Sequence, residues 1–252
     1  MRFTTAMLTR PGGHEVNEDR CNFLETGGFS CWVVADGLGG MGGGELASQL
    51  AADAMLSAFR LKPAVSQAVL AETLQAADAA IHAGRGTDQR LRAMSSTAVI
   101  LVADGARAQW AHVGDSRLYH FRDGAVRAQT LDHSVPQLLV ERGEISAAAI
   151  RGHEDRNRLT MSLGSSNHCR PTILATPVAL AAGDAFLLLS DGVWEYVTER
   201  EMEADLAAAE SPAAWIERIE TRLLRRAEKD HDNYTAVGIF VSVDSPAGGK
   251  SP

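Results

Sequence analysis

Apolar residues along this chain follow two rhythms. The first is a set of short runs bounded by glycine and aspartate. Thr26-Gly27-Gly28 separates CNFLE from FSCWVVA, Asp104-Gly105 separates STAVILVA from ARAQWAHV, Asp123-Gly124 separates RLYHFR from AVRAQ, and Gly183-Asp184 separates TPVALAA from AFLLLS. Glycine accepts the positive φ of tight turns, so these boundaries predict antiparallel hairpins, with YTAVGIFVSV as a closing strand. The second rhythm repeats every three to four residues. Ala47, Leu50, Ala51, Ala54, Met55 and Ala58 predict a helix opening at Glu45. Val65, Ala68, Val69, Ala76 and Ala80 predict a second after Pro63. Ile216, Ile219, Leu223 and Ala227 predict a third, opened by Ser211 as cap and Pro212 in the first turn. From about Asp132 to Cys169 the chain is more polar and lacks long strands, which reads as a helical insertion between strand blocks. Residues 244–252 read as a disordered tail. The pattern is α+β: antiparallel sheets with helices packed outside.

Composition narrows the function classes. The 252 residues are 45% apolar and 22% charged, the balance of a globular protein with a sizeable core. A formal net charge of −8 argues against nucleic acid as a partner, because phosphates need a basic patch, and it suits carboxylates gathered around cations. Cys21, Cys31 and Cys169 are too few and too widely spaced for a disulfide framework or a zinc motif. The N-terminal stretch lacks the apolar centre of a signal peptide, and runs such as AFLLLS are too short to span a bilayer. A cytoplasmic protein with no membrane partner is expected.

VVADGLGGMGGGE (33–45) contains G-x-G-x-x-G at Gly37, Gly39 and Gly42. A dinucleotide site needs that motif inside a strand–helix–strand unit, yet here Lys62-Pro63 and a second helical pattern follow, with no strand until Ser95. No Gly-Lys-Ser/Thr follows to make a phosphate loop either. The aspartate before the glycines is more informative. Asp36 ends CWVVA, and Asp115 and Asp191 likewise stand at the ends of apolar runs. Asp232, with Asn233, opens the last strand, and Glu18 and Asp19 precede CNFLE. In antiparallel sheets one strand's start lies beside its neighbour's end, so these carboxylates can converge on one rim. Taken singly each is more often a turn residue, and Asp104 and Asp123 are read so. Gathered together, such like charges need cations. The donors are all oxygens, which suits Mg²⁺ or Mn²⁺ better than zinc. Two such ions about 4 Å apart can share a water and clamp a phosphoryl group for in-line attack.

In detail the motifs resemble those of the metal-dependent serine/threonine protein phosphatases of type 2C (PPM), in their bacterial single-domain form. VNEDR (16–20), VVADGLGGMGGGELAS (33–48), SSTAVILV (95–102), HVGDSRLYHFRDG (112–124), DHSVPQLLVERGEI (132–145), LTMSLGSS (159–166), LLLSDGVWEYVT (187–198) and DNYTAVGIFV (232–241) stand in the family's order over nearly the whole chain. The resemblance implies one catalytic domain over 1–243, with 132–169 as its flap. It implies a four-layer fold, two antiparallel sheets face to face with helices outside both. It also implies hydrolysis of phosphoserine and phosphothreonine in proteins, by a water between two metal ions and without a phosphoenzyme. Asp36 would bridge the ions, the Gly37 carbonyl would bind one of them, Asp191 and Asp232 would bind the first ion, and Glu18 the second with help from Asp19. Asp115 and Asp191 would hold a weaker third. Partners would be phosphoproteins of a cognate serine/threonine kinase, and the protein a monomer. Gly39 and Gly40 would keep their loop close to the metal rim.

Two positions depart from the family's pattern. His14 stands where relatives carry a phosphate-binding Arg, so His14, Arg20 or Arg10 is left to meet the phosphate unless the metals hold it alone. A His offers at most one bond where Arg offers two. Leu38 and Met41 stand where relatives place a proton-donating His. A metal-bound water, or one of His112, His133, His153 and His231, is then the acid. Arg142, Arg151, Arg156 and Arg158 in the flap either meet acidic substrates or form a solvated face. A small-molecule phosphatase and a silent phosphoprotein-binding scaffold stay open as alternatives.

Overall fold

The structure, a computed structural model, describes residues 1–39, 43–165 and 169–243. Met41 and the tail 244–252 lie outside the described residues, as do Gly40 and Gly42. In chain order the elements are β1 (Arg2–Arg10), β2 (Asp19–Thr26), β3 (Phe29–Leu38), α1 (Gly43–Leu61), α2 (Gln67–Gly84), β4 (Ser95–Ser96), β5 (Ala98–Ala103), β6 (Arg107–Val113), β7 (Arg117–Arg122) and β8 (Ala125–Gln129). Then follow α3 (Val135–Glu141), a 3-10 turn at Ala147–Gly152, β9 (Thr172–Ile173), β10 (Val178–Ala179), β11 (Ala185–Leu189), α4 (Asp191–Trp194), α5 (Glu199–Ala207), α6 (Pro212–Leu224) and β12 (Tyr234–Ser242).

The strands form two antiparallel sheets. One has five strands in the order β1-β12-β11-β7-β8. The other has seven, with β10-β6-β5-β3-β2 as its path, β4 against β3 and β9 against β6. Three apolar layers hold them. Cys31, Val33, Ala98, Ile100 and Val102 pack under α1 and α2. Trp32, Val34, Val99 and Leu101 meet Leu118, Phe186, Leu188, Val237 and Ile239 between the sheets. Tyr119, Phe121, Leu187 and Leu189 pack under Trp194, Trp215, Ile216 and Ile219. The central strands are thus buried on both faces, which is why their sequences read as unbroken apolar runs. The arrangement is the expected one of helices, sheet, sheet and helices.

Three local expectations need correction. Gly183-Asp184 is a turn but not a hairpin, because β10 pairs with β6 while β11 pairs with β7 and β12. The chain crosses there between sheets. Asp184 fixes the crossing, accepting both bonds of the Arg122 guanidinium at 2.7 Å and the Ala181 N–H at 2.9 Å. Helix α2 buries Val69, Leu70, Thr73, Leu74, Ala77 and Ile81 and leaves Ala68 exposed. The large aliphatic residues, not the alanines, mark its inner face, since they contribute most of the apolar area. Helix α1 begins at Gly43 rather than Glu45. Serine caps open α2 and α6, Ser66 accepting from Val69 N–H and Ser211 from Ala214 N–H. All three cysteines are free thiols. Among the described residues no helix is long and apolar enough to cross a membrane.

Candidate metal centre

Strand register delivers the carboxylates. Asp19 opens β2 directly opposite Asp36 near the end of β3. Leu189, two residues before Asp191, pairs with Arg117 on one side and Ala236 on the other, so the segments carrying Asp191, Asp115 and Asp232 are neighbours. A cavity of about 290 Å³ opens where these ends meet, lined by Glu18, Asp36, Gly37, Asp115, Asp191 and Asp232, with Leu38, Gly39, Asn157, Leu159 and Asn233 completing its wall. Six of the seven proposed metal donors therefore share one cavity. The seventh, Asp19, lies behind it, buried, with Oδ2 accepting from Ser190 Oγ at 2.6 Å and Oδ1 lacking any partner.

Uncharged residues hold this set in place. Thr97 Oγ1 accepts from Asp36 N–H at 3.0 Å, Ser96 Oγ donates to Asp36 O at 2.9 Å, and Thr97 shares a 2.6 Å bond with Ser116. Asn233 Oδ1 accepts from Glu18 N–H at 2.7 Å, while its amide donates to the Pro11 and Val16 carbonyls. Ser190 Oγ also accepts from Thr235 N–H, and Trp194 Nε1 donates to Asp115 O at 2.9 Å. Sequence reasoning missed these positions as chemistry, although Ser96, Thr97, Ser116, Ser190 and Asn233 all fall inside the motifs. The glycines of the loop also gain a reason. A Cβ on Gly37 would stand 1.9 Å from Gly44 O, and one on Gly44 would stand 2.6 Å from the Glu18 carboxyl carbon. That approach seats Glu18 by the first turn of α1, whose backbone amides at Glu45 and Gly44 favour its charged form.

The electrostatics are those of unbalanced like charges. Loss of water, then Asp191, Asp19, Asp115 and Asp232, push Asp36 well above the usual carboxylate range. Asp191 is driven up by burial, then by Asp115 and Asp232. Asp115 is pushed to about 7, by burial and then Asp132. Burial lifts Asp19 to about 6, with the Ser190 hydroxyl opposing. Glu18 is raised by burial, with its amide partners opposing. An unpartnered buried carboxylate oxygen, an all-oxygen donor set and mutual repulsion fit hard divalent cations. Among the described residues no three His, Cys, Asp or Glu side chains are gathered tightly enough to hold an ion by themselves.

The candidate phosphate ligands do not enter the cavity. Arg20 bonds to Glu45 at 2.7 Å and to the Asn17 and Asp19 carbonyls. Arg10 lies 3.7 Å from Glu220. His14 stands half exposed, Nε2 3.6 Å from Asp232 Oδ1, on the wall of an adjoining pocket. No described histidine lines the central cavity. His112 stacks on His133 with ring centroids 4.6 Å apart, and burial lowers it to about 4. His153 accepts from Asp155 N–H, and His231 bonds to Glu228 O. The flap arginines are committed to carboxylates: Arg151 to Glu199 and Arg156 to Glu195, both at 2.6 Å, Arg158 to Asp155 at 3.9 Å and Arg142 to Glu144 at 4.0 Å.

Comparison with known proteins agrees with this geometry. The family profile described as Protein phosphatase 2C matches residues 12–233. Protein phosphatase PhpP of Streptococcus pneumoniae is 29% identical over 215 residues, covering 83% of this chain and 86% of its own. The serine/threonine phosphatase stp of Listeria innocua is 31% identical over 176 residues, 68% of this chain and 69% of its own. Among solved structures, the catalytic domain of the serine/threonine protein phosphatase PstP in complex with two manganese ions superimposes with a TM-score of 0.81 at 29% identity, over 96% of this chain and 99% of that one.

Proposed function

The chain belongs to the protein phosphatase 2C family, and from that premise we infer that it hydrolyses phosphoserine and phosphothreonine in proteins with two divalent cations, Mn²⁺ or Mg²⁺. One observation carries the reading: six oxygen donors line a single cavity, and among the described residues no Lys or Arg lines it with them. When bound, the ions supply Lewis acidity and an activated water for in-line attack on phosphorus, without a phosphoenzyme.

The chain's own residues divide the remaining work. Asp36 would hold both ions and the Gly37 carbonyl one of them. Asp191 and Asp232 would hold the first, Glu18 the second, and Asp115 with Asp191 a third. Asp19 works from behind, fixing Ser190 and hence the start of α4. Leu38 has no proton to give, so the leaving oxygen takes its proton from water in the cavity. Asn157 brings a side-chain amide from the segment 132–169 to this wall. We read residues 1–243 as one catalytic domain, 132–169 as its flap and 244–252 as a tail. Three free thiols suit a reducing cytoplasm, and the partners we expect there are the phosphoproteins of a serine/threonine kinase in signal transduction.

The test is turnover of p-nitrophenyl phosphate and a phosphothreonine peptide with Mn²⁺, with Mg²⁺ and with chelator. Hydrolysis that needs the ion, and efficiency greater on the peptide, is the expected result. Activity that survives chelator would overturn the metal mechanism, and preference for small esters would favour a metabolite phosphatase.

A further inference from the structure

Beside the metal cavity lies a second pocket of about 270 Å³, and the two share Asp232 and Asn157. We infer, resting on the phosphatase reading, that this second pocket receives a lysine or arginine side chain of the phosphoprotein close to the phosphorylated residue. Its walls come from four parts of the chain. The loop bearing His14 is tied to the loop before β12 by Gly13 N–H donating to His231 O at 2.8 Å. Arg156 and Asn157 come from the segment between β8 and β9, and Glu195 and Tyr196 follow α4.

The charge of the pocket selects its occupant. Glu195, Glu228, Asp230 and Asp232 line it against a single permanent cation, Arg156, and that cation is already paired to Glu195 at 2.6 Å. Glu228 and Asp230 are exposed and have no ion pair among the described residues. With Asp232 shared with the metal cavity and Glu195 paired to Arg156, these two carry the pocket's unpaired charge. His231 on the same wall bonds through Nδ1 to Glu228 O and leaves Nε2 buried and without a partner. Such a surface repels a second phosphate and attracts a donor-only cation. A substrate whose phosphoryl group lies on the cations of one cavity then lays a neighbouring basic side chain across the shared wall into the other. His14 belongs to this arrangement. An arginine there, as the family pattern has it, would put a permanent positive charge beside Asp232 and weaken the pocket for a basic side chain.

The experiment uses phosphopeptide pairs that differ only by Lys or Gln at one position near the phosphoserine, scanned on both sides, with the Mn²⁺-loaded full chain. The readout is the Lys-to-Gln ratio of kcat/KM within each protein, so a general change in activity cancels. The native protein is expected to favour Lys at one or more positions by about five-fold, the range of two exposed charge pairs. That ratio should approach one in E228Q/D230N, fall in H14R, and decline with added salt. A ratio near one at every position in the native protein, or one unmoved in E228Q/D230N, overturns the proposal. Turnover of p-nitrophenyl phosphate, which has no flanking side chain, reports the metal centre separately. If neither it nor any peptide is hydrolysed, the phosphatase reading fails. The pocket is then decided by fluorescence anisotropy of the labelled peptides: a Lys preference lost in E228Q/D230N upholds it, and equal binding overturns it.

Discussion

Two groups of interior carboxylates lie a few residues apart in this protein and are treated in opposite ways. Around Arg117 nearly every charge is answered. Arg117 makes two bonds to Asp132 at 2.8 and 2.7 Å and one to Tyr119, lies 3.6 Å above the Trp194 ring, and is 3.9 Å from Glu199, which also takes Arg151. Glu199 is accordingly held below its ordinary range, its burial outweighed by Arg151 and the hydrogen bonds it accepts. At the cavity, Asp36, Asp115 and Asp191 repel one another and are all pushed upward, Asp115 despite the nearby Arg117. Trp194 touches both groups, carrying Arg117 on its face and the Asp115 carbonyl on its N–H. Burial is common to the two. Only the second leaves charge unspent, and unspent charge is what a divalent cation and a phosphoryl group can use.

The largest effects should separate the groups by which property fails. D191N is expected to lower metal-dependent turnover on the order of 1,000-fold, about 4 kcal/mol of barrier, while leaving the chelated protein as stable as before or more so. Kinetics beside urea melts in chelator would show it, and a destabilised D191N would erase the contrast. D132A should do the reverse. It strands a buried guanidinium and should cost about 3 kcal/mol in urea unfolding. A loss under about 1 kcal/mol would mean that Glu199 and Tyr119 suffice for Arg117.

A finer separation comes from pH. The folded value of Asp115, about 7, lies above the 3.8 of the unfolded chain. The protonated form is thus favoured by folding, and this contribution is whole below about pH 4 and lost as pH rises through 7. In chelator, D115N should therefore match the native protein near pH 4 and exceed it near pH 7 by on the order of 1–2 kcal/mol. Glu199, with a lowered value, runs the other way, its contribution present above about 4.5 and lost as pH falls. A stability difference for D115N that is flat with pH would break this assignment. The smallest effect belongs to the missing arginine. H14R is expected to lower KM about three-fold on a phosphopeptide without basic residues. An unchanged KM would show the new guanidinium captured by Asp232.

Much of this was legible in the sequence, for stated reasons. Asp-Gly and Gly-Gly turns announced the hairpins at 104–105, 123–124 and 27–28, because turn chemistry is local. The same chemistry misled at Gly183-Asp184, since a turn that doubles back and one that crosses to the other sheet ask the same of their residues. In α2 the alanines suggested a face that Val69, Leu70, Leu74 and Ile81 overrule. Asp36, Asp115, Asp191 and Asp232 stood out because each sits at a strand end. Thr97, Ser190 and Asn233 did not, because their roles are bonds to residues 61, 171 and 215 positions away. Charge and proximity in sequence likewise did not tell that the Arg20 guanidinium lies on Glu45.

The cavity draws Asp36 and Gly37 from the seven-stranded sheet, Glu18 from just before its β2, and Asp191 and Asp232 from the segments after β11 and before β12 of the five-stranded one. A cation engaged by both sides is therefore a rivet through the sandwich, and it binds the folded chain but not the unfolded one. At 100 times its dissociation constant such an ion adds about 2.7 kcal/mol to the folded state, which thins the population open to proteolysis about 100-fold. In a cell the supply of divalent metal would then govern how long each copy of this protein lasts, as well as how fast it works.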